Sequence, residues 1–186
     1  MDTEAAILQT ERLLLRRWRA ADREPFAQLN ADTRVMQFFP SRLSRQESDR
    51  AVDRIEAHFA EHGFGLFAAE LRNQRLFIGF VGLAVPNFAV HFAPCVEIGW
   101  RIATEHWRQG LATEAARAVL HYAFGPLGLH EVVSFTVPAN LASRRVMEKI
   151  GMTRCPEYDF DHPRLPEGHP LRRHVVYRVL RGVEGP

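Results

Sequence analysis

The stretch from Val96 to Glu114, VEIGWRIATEHWRQGLATE, limits what this chain can fold into more than any other. Val96 to Ile102 mixes β-branched and aromatic residues and has apolar character on both faces, as a buried strand does. A short polar turn follows, Ala103 to His106. Then Trp107-Arg108-Gln109-Gly110-Leu111-Ala112-Thr113 leads straight into an apolar-periodic run. The order is strand, tight glycine-containing turn, helix N-terminus. The first turn of a helix has N–H groups without intrahelical partners, and its aligned peptide dipoles place partial positive charge there. Small residues at Gly110 and Ala112 let an anion come close to those groups, and Arg108 adds a full charge, so the turn suits a pyrophosphate. An ordinary strand-to-helix turn would also use a glycine here. The stretch has neither the Gly-Lys-Ser/Thr of a P-loop nor a GxGxxG.

Taken whole, the stretch is more specific. Glu97-Ile98-Gly99-Trp100, followed by Trp107-Arg108-Gln109-Gly110-Leu111-Ala112-Thr113-Glu114-Ala115, resembles the acyl-CoA-binding motif of the GNAT superfamily of N-acetyltransferases. In particular it resembles the branch that includes the RimJ/RimL ribosomal-protein N-terminal acetyltransferases. The broader superfamily pattern begins with Gln or Arg where Trp107 stands. That departure matches the branch and leaves the backbone amides, which do most of the binding, in place. Asn140 to Gly151, NLASRRVMEKIG, resembles the second conserved segment of the same branch, at the spacing the family has. With the terminal strands, the resemblance covers nearly the whole chain. It implies an α/β (α+β) GNAT fold in a single domain over 1–186. The central sheet is expected to be mixed, with parallel strands 96–102 and 131–137 splayed apart and helices on its flanks.

The chain is 46% hydrophobic over 186 residues, enough for one domain with a real core. No apolar run is long enough to span a membrane. The N-terminus lacks the basic-then-apolar order and small-residue cleavage site of a signal peptide, so the expectation is a soluble, cytoplasmic protein. Two cysteines, Cys95 and Cys155, form no CxxC and argue against a disulfide framework there. His58 and His62 stand at i, i+4 but lack the acid of an HExxH, so they read as solvent-side residues and no metal is expected. A net charge of +2 is too mild to argue for nucleic acid.

Leu13 to Trp18 reads as a first strand, and Ala20 to Asn30 as a short helix with Asp22 as N-cap. Phe38 and Phe39 are expected to pack inside, although the resemblance would place this third of the chain near the acceptor. Ser44-Arg45-Gln46-Glu47 is a capping box opening a helix that Gly63 ends. Phe64 to Leu71 and Leu76 to Val85 read as a hairpin of strands. Pro86 to Pro94 is a loop, either part of the substrate mouth or tucked by its own aromatics. A helix over Ala112 to Phe124 and a strand over Glu131 to Val137 complete a parallel crossover. Asn140 as N-cap and Gly151 as C′ residue bracket a helix with Ser143, Val146, Met147 and Ile150 on its inward face. Thr153 to Asp161 and His174 to Arg181 read as the last strands.

The resemblance implies acetyl-CoA as co-substrate and an amine acceptor, either a protein N-terminus or a small molecule such as a polyamine or an antibiotic. A homodimer is compatible with it; nucleic acid and membrane partners are not expected. The pantetheine arm is expected between the splayed strands, pairing with backbone near Trp100 and Ile102, with a strand N–H as oxyanion donor. The pyrophosphate is expected on the amides of Arg108, Gln109, Gly110, Leu111, Ala112 and Thr113. Arg108, Arg144 and Arg145 are candidates to meet phosphates. Ser143 is the candidate proton donor to the leaving thiolate, against the alternative of a serine bonding its own helix. Asn140 caps its helix and is a candidate to bond the pantetheine arm. Glu97 shares a strand face with Gly99 and Arg101. It is either the base that takes the ammonium proton or a structural ion-pair partner of Arg101. Glu157, Asp159 and Asp161 would share one strand face and either draw a cationic amine inward or blunt a solvated edge. Beside transfer to a primary amine stand two readings of other classes: an acyl-CoA-binding module without turnover, and a weak nucleic-acid binder, which the motif residues oppose.

Overall fold

Apolar alternation with period two, interrupted by helices of period 3.6, builds a nine-stranded mixed sheet and four α-helices among the described residues, 8–182, of a computed structural model. The strands are β1 (Leu8–Gln9), β2 (Leu13–Arg16), β3 (Leu66–Leu71), β4 (Leu76–Ala84), β5 (Glu97–Ile102), β6 (Glu131–Thr136), β7 (Thr153–Arg154), β8 (Phe160–Asp161) and β9 (Arg173–Leu180). The helices are α1 (Arg23–Ala31), α2 (Arg45–His62), α3 (Leu111–Phe124) and α4 (Leu141–Lys149). The sheet runs β1-β2-β3-β4-β5-β6-β9-β7, with β8 also on β9. All pairings are antiparallel except β5 with β6.

That single parallel junction is barely made. Glu97 faces Val133, the Val133 N–H donates to the Val96 carbonyl at 2.9 Å, and no further pair forms. β5 continues to Ile102 on β4 while β6 continues to Thr136 on β9, so the two part toward their C-terminal ends. The expected splay is present.

Alternation then divides the side chains. Val81, Leu83, Ile98, Ile102 and Val132 lie in one cluster with Leu111, Ala115, Val119 and Ala123 of α3. On the other face, Phe80 joins Phe26, Leu29 and Val52 of α1 and α2, and Val133 joins Val176 and Phe160. Glu97, Gly99 and Arg101 belong to this second face, between those two clusters, because Arg101 pairs with Phe80 and Glu97 with Val133.

Local signals hold where they are local. Ser44 accepts from the Glu47 N–H while Glu47 reaches back to the Ser44 N–H at 2.7 Å, and Gly63 closes α2 at φ +76°. Asp22 departs from expectation: its side chain caps no α1 amide. It accepts both Arg16 Nη1 and Nη2, at 2.7 and 2.8 Å, while Arg16 Nε donates to Glu70 at 2.8 Å; all three residues are buried. The expected strand from Thr153 to Asp161 is broken by a 3-10 turn over Pro156–Tyr158, where proline at the start of the turn removes a ladder donor. The three acids therefore share no face. Asp159 accepts from Arg154 and from the Val176 N–H, and Asp161 lies beside Arg172 and Arg173. Phe39 does not pack inside either; it is 40% exposed. The loop from Pro86 to Pro94 is tucked by its aromatics: Phe88 packs on Phe135 and His162, and Phe92 stacks on Tyr158.

Candidate active site

The turn between β5 and α3 is held by two bonds of its own. Trp107 Nε1 donates to the Ile102 carbonyl at 2.6 Å, and Gln109 Nε2 to the Glu105 carbonyl at 3.0 Å. Arg108 at φ +60° and Gly110 at φ +77° turn the chain left-handed just before the helix. Successive amides in such a turn converge on one side, the arrangement that favours an anion. The first helical N–H to bond back is that of Glu114, to the Gly110 carbonyl at 2.9 Å, so those of Leu111, Ala112 and Thr113 stay without helix partners. A Cβ placed on Gly110 would meet nothing nearer than Arg12 Nη2 at 3.6 Å. The space over the turn is open, as a phosphate cradle requires.

Arg12 is the residue the sequence reading missed. Its Nη1 donates to the Gln109 carbonyl at 2.9 Å, its Nε to Glu114 Oε2 at 2.6 Å, and its own N–H to Glu114 Oε1 at 2.9 Å. Thr10 Oγ1 adds a bond to Glu114 at 2.5 Å. These bonds hold the Glu114 carboxyl below its usual range despite partial burial. The glutamate of the Ala-Thr-Glu-Ala motif thus ties the β1–β2 turn to α3 and sets a guanidinium beside the candidate anion turn. A cavity of about 530 Å³ opens there, lined by Thr10, Arg12, Gly110, Thr113, Arg117 and Lys149. No pattern near Arg12 announces this, because its partners lie about a hundred residues away.

The splay leaves backbone groups unpaired. Val96 bonds toward β6, so by alternation Ile98, Trp100 and Ile102 present their N–H and C=O groups to that side. Beyond the junction, Trp100 N–H and C=O have no sheet partner among the described residues. An extended ligand arm can pair there as a short strand would. The Ile102 carbonyl is already taken by Trp107.

Across the gap, α4 starts at Asn140, whose Oδ1 accepts from the Ser143 N–H at 3.2 Å and whose Nδ2 donates to Thr136 Oγ1 at 3.0 Å. Capping is as expected, and one amide hydrogen is left for a ligand. Ser143 is half-buried, above the buried Met147 and Ile150, and its hydroxyl makes no hydrogen bond among the described residues. The back-bond to its own helix, the alternative to a proton donor, is absent among the described residues. Arg144 is not free for phosphate: its Nε donates to the Tyr177 hydroxyl at 3.1 Å and its Nη1 to the Pro138 carbonyl at 3.0 Å. Arg145 is exposed.

Glu97 and Arg101 do not pair, which corrects the structural alternative for Glu97. Neighbours of one face two residues apart are close, but these stand four apart in an extended strand, roughly 13 Å along it. The Glu97 carboxylate takes no hydrogen bond among the described residues, and desolvation pushes it up to about 8. Arg101 instead donates from Nη1 to Asn30 Oδ1 and lies over the Phe39 ring at 4.2 Å. His58, which the i, i+4 spacing singled out, is committed to backbone: Nδ1 to the Phe64 carbonyl and Nε2 accepting from the Val85 N–H, both at 2.9 Å. No helix among the described residues is long and apolar enough to cross a membrane.

Comparison with known proteins agrees with this geometry. Residues 12–153 match the acetyltransferase (GNAT) domain family. The chain is 30% identical over 174 residues to the N-acetyltransferase YnaD of Bacillus subtilis (strain 168), itself uncharacterised, covering 93% of this chain and 96% of that one. Solved structures of the same fold include the ribosomal-protein-S5-alanine acetyltransferase of Vibrio fischeri, at TM-score 0.72 and 16% identity, covering 97% and 100% of the two chains. They also include the spermidine N-acetyltransferase of Vibrio cholerae in complex with CoA and spermine, at TM-score 0.71 and 20% identity, covering 92% and 97%.

Proposed function

This chain belongs to the acetyltransferase (GNAT) family, as an acetyl-CoA-dependent N-acetyltransferase, and we propose that it acetylates a primary amine, of a protein N-terminus or a small molecule, by direct attack in a ternary complex. The observation that carries this is the juxtaposition at the splay. β5 and β6 part after Glu97–Val133, which leaves the Trp100 amide without a sheet partner; the elements flanking that gap carry Glu97, on β5, and Ser143, on α4 beside β6, both with side chains that make no hydrogen bond among the described residues.

The residues divide the work as follows. The amides of Arg108 to Thr113, with Arg12 beside them, hold the pyrophosphate of acetyl-CoA, and Trp100 and Asn140 bond its pantetheine arm. The Trp100 N–H donates to the thioester oxygen as it gains charge. Glu97 takes a proton from the acceptor ammonium, directly or through water, so the amine nitrogen can form its bond to the acetyl carbon. A carboxyl raised to about 8 is matched to that task, because a base works best when its proton affinity lies near that of the working solution. As the carbon–sulfur bond breaks, the nitrogen sheds its second proton and Ser143 relays a proton to the departing thiolate, ending as the hydroxyl it began as.

The test is acetyl-CoA turnover, read as free thiol, against peptides of varied N-terminus, polyamines, amino acids and aminoglycosides. Amine-dependent thiol release is the expected result. Tight acetyl-CoA binding with no release above hydrolysis for any amine would refute it in favour of a binding module.

A further inference from the structure

Arg101 is the one charged group of this face whose environment the transferase chemistry leaves unexplained. It sits near the end of β5, its guanidinium between the Phe39 ring at 4.2 Å and the Phe80 ring at 5.4 Å. Nη1 is taken by Asn30, but no carboxylate of the described residues lies within ion-pair distance of it. Its Nε is buried without a hydrogen-bond partner. Two other buried side-chain atoms share that condition, Asp49 Oδ1 and Arg172 Nε, yet each belongs to an ion pair, with Arg23 and Asp161. Arg101 alone of the three has neither a bond at that atom nor a counter-charge. Burial lowers it to about 10, the direction expected of an uncompensated cation. Leaving a desolvated guanidinium without an anion is costly, so a fold that keeps one has a use for it.

The space beside it is open. Gly99 lies between Glu97 and Arg101 on the same face, and a Cβ there would touch only Glu97 Oε1, at 3.9 Å. Its cross-strand partner is another glycine, Gly82, where a Cβ would run into the β3 side, 2.2 Å from the Gly65 carbonyl, so the open space lies over Gly99 and no side chain of Gly82 enters it. The result is a strip of bare backbone with a carboxyl at one end and a guanidinium at the other. The strip lies beside Trp100, whose amide faces the splay. Phe39, 40% exposed, roofs the Arg101 end.

Resting on the transferase reading above, we infer that the acceptor is an amine bearing a carboxylate a few bonds away, whose amine meets Glu97 and whose carboxylate is received by Arg101. Two sources share this chemistry: a free amino acid, through its α-carboxylate, and a peptide whose first residue is Asp or Glu, through its side chain. A polyamine is the wrong charge for the Arg101 end, which sets this site apart from one that takes spermine. Asn30 acts as a positioning residue. Its Oδ1 holds Nη1 while its Nδ2 donates to Ser48 Oγ at 2.9 Å, tying the arginine to α1 and α2.

The experiment compares matched acceptors on the full chain: amino acids with their amides, and peptides beginning Asp or Glu with the same peptides beginning Asn or Gln, with spermidine alongside. In one of the two arms, the carboxylate member should exceed its amide in kcat/KM by about 10- to 100-fold, the range of a charge-assisted hydrogen bond. Arg101→Met should bring that ratio toward one, mainly through KM. Asn30→Asp leaves Arg101 in place but gives it an internal counter-ion, and should lower the same ratio; it keeps the idea testable if Arg101→Met does not fold. Equal turnover of acids and amides, a preference that survives both variants, or spermidine as the best acceptor overturns the inference while leaving the transferase reading intact. Acetyl-CoA binding with no turnover of any amine overturns that reading and this inference with it.

Discussion

Glu97→Gln separates two consequences of one buried carboxyl. Glutamine has the shape of the protonated acid and cannot ionise. Each tenfold change in proton affinity is worth about 1.4 kcal/mol. A rise from 4.5 to about 8 therefore bounds the folded-state penalty on the ionised form at about 5 kcal/mol. The side chain is only half-buried, so water screens part of this and roughly 2–3 kcal/mol is the figure to expect. The sign follows from the raised proton affinity. The folded protein holds this proton more tightly than the unfolded chain, so wild type loses stability as pH climbs from 4.5 to 8, and the glutamine variant does not. At pH 5 the variant should melt higher by only about 2–3 °C; at pH 9 the difference should reach about 5–10 °C for a chain of this size. Activity runs the other way. The same screening holds for activity: kcat/KM of wild type should climb from pH 6 to 9, and its ratio to the variant should grow several-fold, reaching about 10²-fold only at the unscreened limit. The acceptor amine titrates too, but equally in both proteins, so the ratio removes it. Differential scanning calorimetry and initial-rate thiol release across pH 5–9 read the two effects. A rate ratio flat with pH would refute the base assignment, and coincident melting at pH 9 would refute the desolvation argument beneath it.

Gly110→Val should weaken acetyl-CoA binding, measured by calorimetric titration, but it also forces a branched residue to φ +77°, so a stability loss of about 1–2 kcal/mol should accompany it; unchanged affinity would remove the pyrophosphate from this turn. Ser143→Ala should lower kcat by 10-fold or more while leaving the dissociation constant for acetyl-CoA within a few-fold, and an unchanged rate at every pH would return Ser143 to a packing role. Arg16→Ala strands Asp22 without its cation inside the protein and leaves Glu70 only the largely exposed Arg19, and should cost about 3–5 kcal/mol in urea unfolding.

What could be read without coordinates was what neighbours in sequence decide. The Ser44–Glu47 box, the αL stop at Gly63 and the Asn140 cap each involve groups within one helical turn, so spacing alone predicts them. The left-handed turn before α3 was legible for the same reason: small residues, a strand before it and a helix after it leave its amides few other arrangements. Asp22 misled because its position suits a cap, yet a buried guanidinium from β2 competes for a carboxylate more strongly than an exposed amide does. The strand from Thr153 to Asp161 failed where proline outweighed alternation.

The distant partnerships had no sequence signal at all. Glu114 closing on Arg12, Arg101 closing on Asn30 and Phe39 rather than Glu97, and Arg144 turning to Tyr177 are choices among many arginines and many carboxylates. Local sequence determines which backbone each residue adopts and which face it lies on. Which charge meets which is settled only when the fold brings β1–β2 against α3 and α1 against β4, beside Arg101 of β5, because ion pairing falls steeply with distance and is blind to separation along the chain.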